Sequence, residues 1–236
     1  MNFYTRLIVS LALTAGIAAG LLAVTFKTTS PVIAQREIED REKALQAVFF
    51  LQMEGQGKDR SFSLKPTALS EGVTALYNSD NPDTPVYYAV AGEAIGYNST
   101  VPITLMVGFT GPGADAASLL SGYVDSERLP RSGEMGEYIV GFSVINSEET
   151  PGLGEKIKDI RPPYTWMQAL TGTKPAPNPD NSTDFQRQFR GRLAKSLVMK
   201  KSGGDLDAIT ASTITSNGVV AAIQGASTKL AVALGR

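Results

Sequence analysis

Apolar and polar positions follow different periods in successive parts of this chain. Leu7 to Phe26 is a run of twenty residues without a charge, bounded by Arg6 and Lys27. At about 1.5 Å per residue a helix of that length covers roughly 30 Å, the depth of a bilayer's hydrocarbon core. Gly16 and Gly20 give it a small-xxx-small spacing that permits close approach of another membrane helix. The run is read as a retained anchor. The competing reading is a cleaved signal peptide, with Arg6 as its basic start and Val32-Ile33-Ala34 as the cleavage segment. From Ala34 to Met53 charges come first, and Ala44, Leu45, Val48 and Phe49 then recur at helical spacing. This predicts a helix that leaves the membrane and docks on a soluble domain, ended by Gly55 to Arg60.

Residues 62–145 change to a strand-like pattern. Val73–Tyr77 and Val86–Val90 read as strands around the turn Asn78–Asp83, and Glu93–Tyr97 continues the pattern. Val101–Phe109 is the strongest strand; Gly111-Pro112-Gly113 breaks the chain, and Glu137–Ile145 supplies another. With no long amphipathic helix between them, antiparallel pairing fits better than a βαβ alternation. Further on, residues 171–183 form a proline-rich loop. Asp184–Gly191 is a short amphipathic turn with Phe185 and Phe189 on one face, and Leu193–Met199 is read as one more strand. Val219, Ile223, Ala226, Leu230 and Ala233 mark one face of a terminal helix, with Ser216 or Asn217 as its cap. The pattern predicts an α+β protein: an N-terminal transmembrane helix, a mixed and mainly antiparallel sheet with helices, and a C-terminal helix. The boundaries are 1–30 for the anchor, 31–61 for a connecting helix and linker, and 62–236 for a soluble domain.

Composition narrows the chemistry. With 22 basic and 23 acidic residues the net charge is −1, so no basic surplus supports nucleic-acid binding. The chain has no cysteine and no histidine. Thiol catalysis, iron–sulfur ligation, a Ser–His–Asp triad and an ordinary zinc or haem site are therefore excluded within it. Redox chemistry here needs a cofactor held by hydroxyls, carboxylates and backbone.

Two stretches stand out. Asp207 to Ser216 holds one carboxylate and five hydroxyls directly before the terminal helix. It reads either as an N-capping segment or as an acceptor site, a hydroxyl at a helix N-terminus where a phosphate is favoured. Glu149-Thr150-Pro151-Gly152-Leu153-Gly154 places a proline and two glycines in a polar frame, the mark of a tight turn with backbone close to something.

The anchor, the Glu149–Gly154 turn and the terminal hydroxyl run, in that order, resemble the flavin-binding G subunit of Rnf-type electron transport complexes. That subunit is related to the C subunit of sodium-translocating NADH:quinone reductases. The short overall length favours the Rnf-type subunit. The resemblance implies a covalent FMN, attached through its phosphate to a threonine by a dedicated flavin transferase. The family's attachment motif falls here on Asp207, Thr210, Ala211, Ser212, Thr213, Ile214 and Thr215, making Thr213 the implied attachment residue. Ala211 stands where glycine is usual, and alanine costs about 1 kcal/mol or somewhat more if that position needs a positive φ.

The resemblance further implies cofactor contacts from Glu149, Thr150, Gly152, Leu153 and Gly154, with Leu153 and Tyr164 or Trp166 as covers for the ring. Core packing is the other role open to those side chains. Asp207 is read as serving the transferase reaction or capping the segment. Two further departures are Asn146, where the family often has histidine, and a Gly96–Val101 hairpin without the usual paired glycines. The implied function is a membrane-anchored flavoprotein electron carrier, a redox subunit with no complete active site of its own. Its partners would be the other membrane and redox subunits of an ion-translocating complex, with its soluble domain on the outer face of the cell membrane. The alternatives are a subunit of a different extracytoplasmic flavin-dependent reductase, or a non-redox membrane-anchored binding module.

Overall fold

The computed structural model describes residues 2–49, 64–78, 81–113, 120, 137–158, 165–173 and 182–236. The expected break at 55–60, most of the proline-rich loop and Tyr164 lie outside the described residues. The chain divides into two units, Met1–Glu42 and Lys43–Arg236.

Helix α1 runs from Phe3 to Val48 without interruption, through Pro31. The expected span and the helix after it are thus one element. Its apolar stretch is long and apolar enough to cross a membrane, and none of that stretch is buried. Threonine hydroxyls along it bond back to its own carbonyls: Thr25 Oγ1 donates to the Leu21 carbonyl at 2.9 Å and Thr29 Oγ1 to the Thr25 carbonyl at 2.8 Å. Such internal pairing is what a medium without water demands of a polar side chain.

The second unit is built on a five-stranded antiparallel meander: β1 (Lys65–Ser70), β2 (Val73–Asn78), β3 (Asn81–Ala94), β4 (Ile103–Thr110) and β5 (Ile139–Asn146). Alternation in β4 sorts its side chains between two cores. Ile103, Leu105, Val107 and Phe109 join the core under the terminal helix, while Met106 joins Tyr87, Ala89 and Val140 against Ala44, Val48 and Phe49. Each of these large side chains contributes roughly 1.5–3 kcal/mol by leaving water. Strand β1 carries no sequence signal because all six of its residues are exposed. It is an edge strand held by backbone pairing to β2, where Pro66 is tolerated.

Two short helices, α2 (Trp166–Thr171) and α3 (Asp184–Arg187), each begin with a capping box, Thr165 with Gln168 and Thr183 with Gln186. Phe185 and Phe189 share a face as expected, their rings 5.1 Å apart, and Phe142 meets Phe189 at 5.3 Å. The strand expected over Leu193–Met199 is not formed. Leu193 bridges Tyr138, Ala194–Ser196 is a 3-10 turn, and Met199 bridges Leu206. Ala194 and Leu197 are both buried in the same core, and an odd separation along a strand would send them to opposite faces.

The last helix, α4 (Thr213–Ala233), lies across β3 and β4. Val219, Ile223, Ala226 and Leu230 are fully buried along its predicted face, and Ala233 is half-buried. Helix α4 carries the hydroxyl run to one end of the sheet, where the Glu149–Gly154 turn leaves β5.

Candidate functional site

Helix α4 begins at Thr213, earlier than the expected cap at Ser216 or Asn217. The reason is that Ser216 is needed inside the first turn. It is buried, its Oγ donates to the Ser212 carbonyl at 2.9 Å, and it accepts the Ile209 N–H at 3.0 Å. Ser212 takes the N-cap position, and its side chain makes no capping bond. The first backbone bond into the helix is Ser216 N–H to Ser212 carbonyl, 3.0 Å. The amides of Thr213, Ile214 and Thr215 therefore have no acceptor among the described residues. A 21-residue helix thus presents free donors and the positive end of its macrodipole, about half an elementary charge. The hydroxyls are not spent on capping.

The chain enters this terminus through a turn closed by Ser212 N–H to the Ile209 carbonyl at 2.9 Å. Ala211 sits in it at φ +62°, the one non-glycine residue with positive φ among the described residues. The position does need a left-handed backbone, and alanine meets it at a cost of about 1–2 kcal/mol. Replacing Ala211 with glycine relieves that strain and loses part of the gain to chain entropy. We expect a net stabilisation of about 0.5–1 kcal/mol. The check is a rise in melting temperature of roughly 1–4 °C, at the scale usual for a chain of this size.

Opposite the helix end lies the Glu149–Gly154 turn, with Gly152 at φ +72° and the Leu153 and Glu155 amides bonded to the Thr150 carbonyl at 3.2 and 3.3 Å. The partner that Gly154 approaches is the Glu149 carboxylate. A Cβ on Gly154 would fall 2.7 Å from Glu149 Oε2 and 2.8 Å from Thr215 Oγ1, and one on Gly96 would collide with Glu149 Oε1. Glu149 is 6% exposed. It accepts the Thr215 hydroxyl at 2.5 Å and the Asn98 N–H at 3.4 Å, and no cation pairs with it among the described residues. One buried carboxylate therefore ties together the 96–98 hairpin, the 149–154 turn and the first turn of α4. Thr215→Val removes the shorter bond while leaving the charge in place, and is expected to cost about 1–3 kcal/mol. Urea denaturation with an unchanged m-value checks it.

Between these segments is a cavity of about 420 Å³, lined by Tyr97, Glu149, Thr150, Leu153, Gly154 and residues 211–215. One side is polar, with the Thr213 hydroxyl and the free amides of the helix end. The other carries Tyr97, Leu153 and Ile214, all exposed apolar side chains. The volume suits a small organic ligand, and the donor set suits an anionic group at one end and a flat apolar group at the other.

The cavity thus brings together seven of the sequence-predicted residues: Glu149, Thr150, Leu153, Gly154, Ser212, Thr213 and Thr215. Gly152 turns to a neighbouring depression with Glu155, Lys156 and Lys158. Thr210 is exposed outside the lining, and so is Asp207. Asp207 does not cap the helix. Its carboxylate pairs with Lys200 at 2.6 Å, and its backbone exchanges bonds with the Gln188 side chain at 2.7 and 2.9 Å. Trp166 is 73% exposed on α2 and does not line the cavity.

Two residues escaped sequence reasoning. Tyr97 has a faint signal, a lone aromatic in a turn of small polar residues. Lys201, whose Nζ lies 3.3 Å from Thr213 Oγ1, is brought there by tertiary folding from twelve positions away.

Residues 133–228 match the family model of the FMN-binding domain. The chain is also similar to the G subunits of ion-translocating oxidoreductase complexes from three organisms. The Yersinia pestis protein is 30% identical over 168 residues, 70% of this chain and 72% of that one. The one from Methanosarcina acetivorans is 26% identical over 224 residues, covering 94% and 92%. The Erwinia tasmaniensis protein is 27% identical over 219 residues, covering 92% and 84%. On these likenesses this chain belongs to the G-subunit family of ion-translocating oxidoreductase complexes, the Rnf type its sequence resembles.

Proposed function

We propose that this protein is a membrane-anchored electron carrier that holds FMN through a phosphoester to Thr213. The observation that carries the reading is the position of Thr213: the first residue of an uncapped helix, on the wall of a cavity shared with the Glu149–Gly154 turn. When bound, FMN supplies one- and two-electron redox chemistry at a flat aromatic ring. The chain's own residues do the rest. The Thr213–Thr215 amides and the α4 dipole accept the phosphate's charge. Tyr97, Leu153 and Ile214 offer the ring an apolar resting surface. Glu149 and Thr215 keep the two walls together, and Thr150, Gly152 and Gly154 keep the turn open enough for close approach. Ser212 holds the helix entry, while Thr210 and Asp207 present an exposed rim that a flavin transferase can grasp.

The domain scheme is 1–30 as a single-pass anchor in the cell membrane, 31–61 as the connection, and 62–236 as the flavin domain on the outer face. Tethering holds the flavin near its redox partners, the other subunits of an ion-translocating complex, without free diffusion. The test is in-gel flavin fluorescence of the denatured protein after co-production with a flavin transferase. A fluorescent band at this chain's mass supports the reading, and a dark band beside a flavinylated control protein removes it.

A further inference from the structure

We infer that Lys201 is a phosphate-recognising residue of this site, adding to the preference of the α4 terminus for FMN over flavins that lack a phosphate. The inference rests on the reading of the cavity as an FMN site and names the side chain that reads the cofactor's charge.

Lys201 lies in the 3-10 turn Lys200–Ser202. Its backbone is fixed from both sides: the Lys200 amide donates to the Leu206 carbonyl at 2.9 Å, Ser202 to Met199 at 2.8 Å, and Gly204 to Met199 at 3.1 Å. The turn closes at Gly203, φ +88°. The two lysines of this turn are used differently. Lys200 is committed to the Asp207 carboxylate at 2.6 Å. The Lys201 ammonium faces the Thr213 hydroxyl at 3.3 Å and meets no carboxylate among the described residues. An ammonium has three donors and a full charge, and a single hydroxyl satisfies little of either.

The side chains around it add to the case. The sequence-predicted acids are already held, Asp207 by Lys200 and Glu149 by the Thr215 hydroxyl and the Asn98 amide. Helix α4 offers free amides at the same point. A phosphate esterified to Thr213 Oγ1 puts its unesterified oxygens beside an ammonium that already touches the ester oxygen's position. Lysine binds phosphate as a point charge, so the contact tolerates small differences in phosphate orientation. The apolar wall of Tyr97, Leu153 and Ile214 does not distinguish FMN from riboflavin. The end of α4 and Lys201 do.

The test uses the full chain in detergent, produced without the transferase so that Thr213 is free. It is titrated separately with FMN and with riboflavin, following flavin fluorescence. Wild type is expected to bind FMN about tenfold more tightly than riboflavin at low ionic strength. That preference shrinks as salt is raised. Lys201→Gln should lower that preference about threefold by weakening FMN alone, leaving the part that the end of α4 supplies, and Lys201→Arg should restore most of it. Equal wild-type affinities for the two flavins, including no binding of either, overturn the inference. So does a Lys201→Gln chain that keeps the preference undiminished, or one that loses riboflavin as well. Intact mass after co-production with the transferase separates this from the covalent reading. Modified protein without an FMN preference removes Lys201 alone. A preference carried by Lys201 in protein that is never modified removes the covalent bond alone.

Discussion

Thr213→Val is expected to give a chain that folds normally and never carries covalent flavin, while Thr213→Ser remains modified. In the fold itself the Thr213 hydroxyl does very little. Its side-chain bond is the 3.3 Å contact from the exposed Lys201. The neighbouring hydroxyls are different: Thr215 holds Glu149 and Ser216 locks the helix entry, and both are buried. Removing either of those damages the local structure as well as any chemistry. Valine at 213 keeps the branched shape at the first helical position and removes only the nucleophilic oxygen, so its effect on stability should stay within about 0.5 kcal/mol. Its effect on covalent flavin content should be complete. Serine restores the oxygen on the same backbone with its free amides. Far-UV circular dichroism and melting temperature check the first half, and flavin absorbance after denaturation checks the second.

Gly92→Ala should have the largest effect on stability. Gly92 pairs with Leu105 across β3 and β4, beneath α4. A Cβ there would collide with the Ala222 carbonyl oxygen and lie 3.1 Å from the Ala226 Cβ. The obstruction is helix backbone, which has no rotamer to change, so helix and sheet must separate or the strand must bend. Overpacking of that kind costs about 3 kcal/mol, equivalent to a fall of roughly 6–12 °C in melting temperature. Ala222 lies nine residues along α4 from Thr213, roughly 14 Å at the helical rise. The folded fraction should therefore still accept flavin, which separates this lesion from one in the site. Thermal melts with flavin content per folded molecule measure both.

The two substitutions also divide what the sequence made legible from what it did not. Strands β2 to β5 could be read because they are apolar, β-branched and aromatic runs set between turn signals, and α4 could be read because Val219, Ile223, Ala226 and Leu230 keep a helical period. Strand β1 could not, since an edge strand exposed at every position carries no hydrophobic pattern. The segment at 193–199 misled for the opposite reason: it is apolar because it is buried, and its apolar residues do not alternate. At the site, local chemistry identified both walls. The five hydroxyls and the glycine-rich turn were visible, while Ala211 was marked only by the family resemblance, as a position strained if its φ is positive, and its φ is +62°. What local chemistry left open was the use of each hydroxyl. A run of Ser and Thr before a helix suggests capping, yet here none of them caps, because Thr215 and Ser216 are drawn into contacts set by Glu149 and Ile209. Lys201 was invisible for the same reason, as nothing in its neighbours reports a contact twelve residues away.

Attachment of FMN to Thr213 through a phosphoester is tested most directly by peptide-level mass spectrometry. The protein is co-produced with a flavin transferase, digested, and its peptides sequenced by fragmentation. The peptide spanning Thr210, Ser212, Thr213 and Thr215 is expected to carry the mass of one FMN less one water, localised to Thr213. An unmodified peptide, or the same mass on Ser212 or Thr215, would contradict the assignment.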